Sequence, residues 1–219
     1  VDGVAHLLSA SNTEKVDYKD RFLAFRTRYP AAISADTLER IRGIGQKIAD
    51  AFSLKNTPML VQLLTDDTKE SVLEFCARNG GGAKYLLIHR VSGFDPIESV
   101  IRLTLGEKVE VGPIGWEHMY FTNEFLYAYP GVFDHLEGFE ELKQAGVLDE
   151  YWQFKWQGAE ITKAVTSSDR VASITIVADS YEELLNKHQQ AVASIKLMST
   201  DGQDMLRRDL LTDICDLSM

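Results

Sequence analysis

Hydrophobic and polar positions follow two different periods along this chain, and together they predict a mixture of helices and strands. Helices are predicted to begin at Asp36, at Asp95 and at Ser180, because each of these capping residues is followed by apolar residues at helical intervals. Residues 9–15 and 166–170 are small and polar, which is typical of surface loops. Strands are predicted where apolar residues alternate or run together, at residues 4–9, 58–64, 71–78, 119–128, 152–156 and 171–178. The pattern predicts an α+β protein.

The stretch from residue 57 to residue 95 is the strongest candidate for chemistry, because two apolar runs there flank a polar loop at residues 66–70 and predict a hairpin. If the turn is centred on Thr68, Gln62 lies opposite Glu74 and their side chains share a face. Alternation then predicts a core face with Val61, Leu63, Leu73, Phe75 and Ala77, and an opposite face with Gln62, Leu64, Val72, Glu74, Cys76 and Arg78.

The second face of this hairpin has the side chains for binding a metal ion and a phosphate. Magnesium prefers oxygen ligands and is usually shared between one or two carboxylates and substrate phosphates. Arginine suits phosphate because its planar donors are always charged. Gly80, Gly81 and Gly82 follow, and their backbone N–H groups could approach a ligand. An ordinary one-sided hairpin followed by a mobile glycine loop is the alternative interpretation.

Other catalytic signatures are missing from the sequence. It contains neither the GxxxxGK[ST] phosphate loop nor the GxGxxG fingerprint, and its histidines do not form an HExxH motif. No Ser/His/Asp set is arranged in a recognisable motif. Lys84, His89 and Arg90 follow the glycine loop and could meet a phosphate or a carboxylate, although solvated side chains are the simpler explanation.

The segment VLEFCARNGGGAKYLLIHRVSGFDPIESVIRLTLG, residues 72–106, resembles the C-terminal lobe of ATP-grasp enzymes. In that family a hairpin carries Glu-x-Asn-x-Arg and then a glycine-rich loop. A later Ser-Gly-x-Asp turn, here residues 92–95, and a helix leading to Leu105-Gly106 match as well. The nearest families are the carbamoyl-phosphate synthase large chain and the carboxylate–amine ligases. Residues 169–187 also resemble the closing strand and helix of these ligases.

This resemblance implies an ATP-grasp C-terminal lobe, with an antiparallel sheet, packed helices and a small C-terminal αβ segment. We therefore expect residues 1–111 to be the lobe fragment that carries the hairpin and residues 112–219 to be a C-terminal αβ subdomain. The implied function is the C-terminal part of an ATP- and magnesium-dependent ligase. Such a ligase would join small-molecule carboxylate and amine substrates, or act like carbamoyl-phosphate synthase, through an acyl phosphate.

The resemblance also implies roles for individual residues. Gln62 and Glu74 would hold magnesium against the ATP phosphates, and Arg78 would steady the phosphate or the acyl phosphate. Cofactor contacts would come from the loop residues Gly80, Gly81 and Gly82 and from Lys84. Cys76 stands where the family usually has asparagine. A thiol is a soft ligand and a poor partner for magnesium, so the second metal position departs from the pattern.

An ATP-grasp enzyme clamps its nucleotide between two lobes, and no earlier lobe fits before the hairpin in this sequence. The chain opens at Val1 on an apolar run, so we expect a segment of a longer protein whose N-terminal lobe is missing here. The isolated chain is then expected to be inactive. The competing hypothesis is a noncatalytic module that keeps the fold and binds a partner or a small ligand.

Composition narrows the classes of partner. The 219 residues carry 33 acidic and 23 basic side chains, a net charge of −10. That balance argues against a nucleic-acid binder, which needs a basic face. No apolar run is long enough to span a membrane. With only Cys76 and Cys215, a disulfide scaffold is not expected, and the sequence favours a cytoplasmic location.

Overall fold

The computed structural model describes residues 1–17, 22–66, 68–116, 118–163, 166–212 and 214. The main elements are β1 (Asn12–Asp17), β2 (Phe22–Tyr29), α1 (Ala35–Ala51), β3 (Leu60–Thr65), β4 (Glu70–Cys76), α2 (Lys84–Ser92), α3 (Pro96–Thr104), β5 (Tyr120–Leu126), β6 (Gly131–Glu137), α4 (Phe139–Gln144), β7 (Glu150–Gln153), β8 (Glu160–Ile161), β9 (Ala172–Ala178), α5 (Tyr181–Ser194) and β10 (Lys196–Ser199). Within the described residues, no helix has the length and apolar character needed to cross a membrane.

The chain forms two compact units that are discontinuous in sequence. Unit 1 contains Val1–Ala10 and Ala31–His118, and unit 2 contains Ser11–Pro30 and Met119–Met219. The predicted domain boundary was a single one, between residues 111 and 112. The compact units are not separated at a single point, because β2 pairs with β5 and so belongs to the sheet of unit 2.

Unit 1 contains the β3–β4 hairpin together with helices α1, α2 and α3. Ser34 caps α1, since its side chain accepts a hydrogen bond from the Thr37 N–H, so the helix begins slightly before the predicted Asp36. Asp95 caps α3 as predicted, and Pro96 occupies the first turn. The strand predicted at residues 4–9 was wrong: this segment forms no strand. The side-chain amide of Gln46 accepts a hydrogen bond from Ala5 N and donates one to Gly3 O. It thus takes the place that a neighbouring strand would have.

Unit 2 is built on a five-stranded sheet with the order β1-β2-β5-β9-β7, in which every neighbouring pair is antiparallel. A second sheet has the order β10-β6-β8. The core includes Leu126, Phe133, Ile174, Ile176, Leu184 and Leu197. Ser180 caps α5 as predicted, through a bond from the Glu183 N–H. This antiparallel architecture with packed helices confirms the predicted α+β class.

Two predictions for unit 2 were wrong. Residues 9–15 were expected to be a loop, but Asn12–Asp17 form strand β1 because they pair with β2. Residues 152–156 were expected to be a strand with a buried aromatic face. Strand β7 ends at Gln153, Phe154 lies beyond it, and the Trp156 side chain is 76% exposed.

Candidate functional site

The candidate site is organised by the β3–β4 hairpin of unit 1. Gln62 and Glu74 are cross-strand partners, in the register that the sequence predicted. Directly opposed residues on an antiparallel pair place their Cβ atoms about 4.5–5.5 Å apart on the same face. The Glu74 side chain is exposed and Gln62 is half-buried. An amide oxygen and a carboxylate therefore lie side by side and open to solvent.

A β-bulge lies next to this pair. Glu74 pairs with Gln62, but the next pair is Val72 with Leu63, so Leu73 has no partner across the hairpin. The Leu73 side chain is half exposed, and Ala77 is exposed. Their predicted places on the core face were wrong. Val72, predicted to lie with Gln62, instead shares the row of Leu63, because one extra residue shifts the alternation.

Helix α1 covers the other face of the hairpin at two points. Arg40 donates from Nε to Glu70 Oε1 at 2.9 Å, and the Glu70 side chain is only 8% exposed. At the opposite end of the strand, the Phe75 ring lies 4.7 Å from the ring of Phe52, which follows α1. These contacts fix the hairpin on the helix and leave the Gln62 and Glu74 face uncovered by it.

Arg78 comes directly after the hairpin and is exposed. Its Nη1 donates to Asn79 O at 2.8 Å. The residue lines a pocket of about 270 Å³ together with Asn56, Thr57, Pro58, Ala77, Asn79, Val100, Leu103 and Thr104. Arg78 can therefore present its guanidinium at the mouth of a pocket with mixed polar and apolar walls.

The glycine loop continues into helix α2. A Cβ on Gly80 would lie 3.1 Å from Lys84 Cγ and 3.4 Å from Leu60 Cδ1, so the loop packs closely on both residues. Gly81 has open space around it. The N-cap of α2 is Ala83, which has no side chain that could bond the first N–H groups. Burial lowers the pKa of the Lys84 ammonium to about 8.

His89 and Arg90 lie in the last turn of α2, away from the glycine loop. At a rise of about 1.5 Å per residue, they are about 8–9 Å farther along the helix than Lys84. The structure thus keeps Lys84 at the loop and separates the other two side chains from it.

Cys76 is a free, half-buried cysteine whose partner across the hairpin is Leu60. Within the described part of the chain, no group of three or more His, Cys, Asp or Glu side chains could hold a metal ion. Cys215 lies outside the described residues. The described oxygen donors on this face are the Glu74 carboxylate, the Gln62 amide and the hydroxyl of Ser71, whose cross-strand partner is Leu64. The Cys76 thiol lies two residues beyond Glu74.

Two features of the site were missed by sequence reasoning. Arg40 and Glu70 hold the hairpin on α1, and the pocket beside Arg78 takes residues from three separate segments. The available signal for the first was an acidic residue at the start of strand β4. Nothing in the sequence relates Asn56 or Thr104 to Arg78.

Comparison with known proteins gives one family match. Residues 124–198 match the family model described as L-amino acid ligase C-terminal domain 2, which is about a third of the chain and lies within unit 2. No curated protein matches the chain in sequence.

Solved structures match much more of the chain. Phosphoribosylglycinamide synthetase from Anaerococcus prevotii aligns with a TM-score of 0.77 and 15% identity, over 88% of this chain and 49% of that one. The L-amino acid ligase from Bacillus licheniformis aligns with a TM-score of 0.76 and 23% identity, over 91% and 50%. This chain has the fold of an ATP-grasp ligase lobe.

A third likeness agrees with this assignment. N5-carboxyaminoimidazole ribonucleotide synthetase from Thermotoga maritima aligns with a TM-score of 0.59 and 17% identity, over 82% of this chain and 49% of that one. The chain spans about half the length of these three structures. The predicted resemblance to an ATP-grasp lobe is confirmed at the level of the fold.

Proposed function

We propose that this chain is the metal- and phosphate-handling half of an ATP-dependent ligase that joins a carboxylate to an amine. The observation that carries the proposal is the pairing of Gln62 with Glu74, with Arg78 following four residues after Glu74. The ligase family match and the ligase folds support it. The rest of the ligase, including the N-terminal ATP-grasp lobe, would be supplied by residues beyond this sequence.

The donor set fits one magnesium ion that is shared with ATP phosphates. Magnesium is commonly bound through one or two carboxylates while substrate phosphates and waters complete its shell. Glu74 and Gln62 supply a charged and a neutral oxygen on one face. Cys76 does not fit a second magnesium position, because a thiol is a soft ligand. We therefore assign one protein-held magnesium position to Glu74 and Gln62.

The chemistry consists of two displacements. An oxygen of the substrate carboxylate attacks the γ-phosphorus of ATP, and ADP leaves with the electrons of the broken bond. The amine nitrogen then attacks the acyl carbon, and inorganic phosphate leaves as the amide forms and the amine loses a proton. Bound magnesium would neutralise charge on the phosphates during the first displacement.

The residues of this chain contribute charge and positioning. Arg78 is exposed and can turn its guanidinium toward the transferring phosphoryl group, where a fixed cation stabilises the developing charge. The N–H groups of Gly80, Gly81 and Gly82 and the Lys84 side chain would bind phosphate oxygens at the start of α2. The pocket beside Arg78 offers space for part of a small carboxylate or amine substrate.

The metal assignment can be tested on the chain itself with Mn²⁺ as a paramagnetic substitute for magnesium. Electron paramagnetic resonance would measure bound Mn²⁺ during titration in the presence of ADP. We expect Glu74→Gln to weaken Mn²⁺ binding by at least about tenfold, since the charged ligand is lost. Glu98→Gln, which removes a carboxylate on α3, is the matched control and should bind like the unchanged protein. Equal binding by all three proteins would reject the site.

The function itself requires the complete ligase. ADP release with amino acids and other amines should fall strongly in Gln62→Ala and Glu74→Ala variants of that protein. Unchanged turnover in both would show that the metal assignment is wrong.

The noncatalytic alternative is favoured by one observation: residue 76, where the resembling family usually has asparagine, is a cysteine. Cys76→Asn separates the two hypotheses. A ligase with one working metal position should keep or gain turnover with this variant. A complete protein that binds ADP but releases none from ATP, with either residue at position 76, would be a binding module.

A further inference from the structure

A cluster of charged residues is buried in the five-stranded sheet of unit 2. Arg26 on β2 and Glu124 on β5 are both fully buried, and Arg26 Nε donates to Glu124 Oε1 at 2.5 Å. Arg26 Nη1 also donates to Glu14 Oε2 at 2.8 Å, and Arg28 lies 3.0 Å from the other oxygen of Glu14. Among the described residues, two carboxylates therefore share the charge of Arg26.

His188, on helix α5, also belongs to this cluster and contacts both Arg26 and Glu124. Its Nε2 lies 3.3 Å from Arg26 Nη2 and 3.4 Å from Glu124 Oε1, and the side chain is 5% exposed. When neither His188 Nε2 nor Glu124 carries a proton, both facing atoms have only lone pairs. Their contact is then repulsive. One proton between them converts it into a hydrogen bond.

The Glu124 carboxylate has hydrogen-bonding capacity that its described neighbours do not use. Its Oε2 is buried and bonds no partner among the described residues. A proton on Glu124 Oε1 can be donated to His188 Nε2 while a lone pair of the same oxygen still accepts from Arg26 Nε. A buried carboxylate with an unfilled oxygen loses hydration that nothing in the cluster replaces, so the neutral acid fits this position better.

The same Arg26 also binds the backbone at Thr212. Its Nη2 donates to Thr212 O at 2.6 Å, and Tyr181 at the start of α5 donates from its hydroxyl to Ile214 O at 3.0 Å. The C-terminal segment therefore depends on β2 and α5, which the cluster connects through His188.

We propose that Glu124, His188 and Arg26 form a proton-operated latch, in which one proton between Glu124 and His188 tightens the attachment of helix α5 and the segment around Thr212 to the sheet. Uptake of the proton removes the lone-pair repulsion and neutralises one of the two described carboxylates that Arg26 contacts. The single lone pair of His188 Nε2 then accepts from Glu124, and Arg26 Nη2 keeps its bond to the Thr212 carbonyl. The latch lies in unit 2 and does not depend on the ligase activity proposed for unit 1.

The direction of the pH response follows from the burial of Glu124. Burial raises the pKa of the Glu124 carboxyl to about 7, against the opposing effect of Arg26. A carboxyl whose pKa is higher in the folded than in the unfolded chain stabilises the fold below the unfolded value. That stability is lost as pH rises through about 7. The latch is therefore closed in mild acid and loosens above neutrality.

Among the residues that the structure describes, few other charged groups surround Glu124. Glu14 faces it through Arg26 from β1, and Arg28 faces Glu14 from β2. On β9 its cross-strand partner is the apolar Ile174. Lys187, next to His188 on α5, bonds Val177 O and Glu183 instead. These neighbours leave Glu124 as the carboxyl that a proton would occupy.

A direct test follows Glu124 in the complete 219-residue chain by carbon NMR of labelled glutamate carboxyls. One carboxyl should titrate near pH 7, and its signal should be missing from Glu124→Gln. Hydrogen exchange, corrected for its intrinsic pH dependence, should show α5 and residues 207–212 opening about tenfold more readily at pH 8 than at pH 6.

Two variants distinguish a pH-dependent latch from packing that does not depend on pH. Glu124→Gln imitates the protonated acid and should keep these segments equally protected at both pH values. His135→Gln, which removes an exposed histidine of unit 2, is the control and should retain the pH difference of the unchanged protein. If all buried and exposed glutamates titrate below about pH 5 in the unchanged protein, no latch exists. The same conclusion follows if Glu124→Gln keeps the full pH difference. The NMR titration needs no variant, so it remains decisive even where Glu124→Gln fails to fold.

Discussion

Glu70 and Phe75 both contact the region of helix α1, although they lie five residues apart on strand β4. Glu70 accepts from Arg40 within the helix, and the Phe75 ring packs on Phe52 at its C-cap. In an uninterrupted strand, residues five apart point to opposite faces. The bulge at Leu73 adds one residue and brings both side chains to the helix-covered face. The same bulge leaves Glu74 beside Gln62 on the open face.

The bulge can be removed by deleting Leu73. We expect the deletion to destabilise unit 1 by about 2 kcal/mol or more, because either Glu70 or Phe75 must leave α1. Urea denaturation would measure the change. Leu73→Ala is the control and should cost less than about 1 kcal/mol, because this side chain is half exposed. A deletion as mild as Leu73→Ala would mean that the bulge does not set the register.

The Arg40 and Glu70 ion pair should contribute measurably to stability. Removing the guanidinium in Arg40→Ala leaves a carboxylate that is only 8% exposed, which we expect to cost about 1–3 kcal/mol. Arg102→Ala removes a pair with Glu107 in which both side chains are about half exposed. It should cost at most about 1 kcal/mol. Equal midpoints in thermal or urea unfolding for the two variants would contradict the prediction that the buried ion pair of Glu70 with Arg40 stabilises the fold more than the exposed pair does.

The glycine loop should tolerate a methyl group at one position and resist it at another. Gly80→Ala brings a Cβ to 3.1 Å from Lys84 Cγ, so the lysine stem must move, at a cost of about 1 kcal/mol. Gly81→Ala meets no atom within 4 Å and should stay within about 0.5 kcal/mol of the unchanged protein. Urea unfolding of both variants checks the order of the two effects, and the reverse order would reject the packing of Gly80 on Lys84.

Lys84 should make stability depend on alkaline pH. Burial lowers its pKa to about 8 from the ordinary value of 10.5, so the folded chain binds fewer protons than the unfolded chain between these values. Stability from this residue therefore rises as pH increases from about 8. Lys84→Met, which has no charge to bury, should be more stable than the unchanged protein near neutrality. This difference in the free energy of unfolding should shrink above pH 8, and urea denaturation over a range of pH would measure it.

The control for that experiment is Lys47→Met, at an exposed position of α1. Its stability relative to the unchanged protein should not vary over the same pH range in the way expected for Lys84→Met. A constant advantage of Lys84→Met at every pH would indicate better packing instead of a relieved charge.

The sequence by itself determined the local features of this protein. Capping residues placed α3 and α5, and alternation with a polar loop placed the hairpin and paired Gln62 with Glu74. These features depend on contacts between residues that are close in the chain, so the order of residue types is enough to predict them. The ATP-grasp resemblance followed from two such continuous stretches, residues 72–106 and 169–187.

Tertiary structure decided everything that depends on distant partners. The apolar run at residues 4–9 is not a strand, because its backbone bonds the Gln46 amide instead of a neighbouring strand. Residues 12–17 are a strand because β2 lies beside them, and Leu73 is half exposed because a bulge interrupts its strand. The charged cluster of Arg26, Glu124 and His188 joins residues up to 162 positions apart. No local pattern encodes such contacts, since each side chain acquires its burial and its hydrogen-bond partners only when the sheet and helices pack.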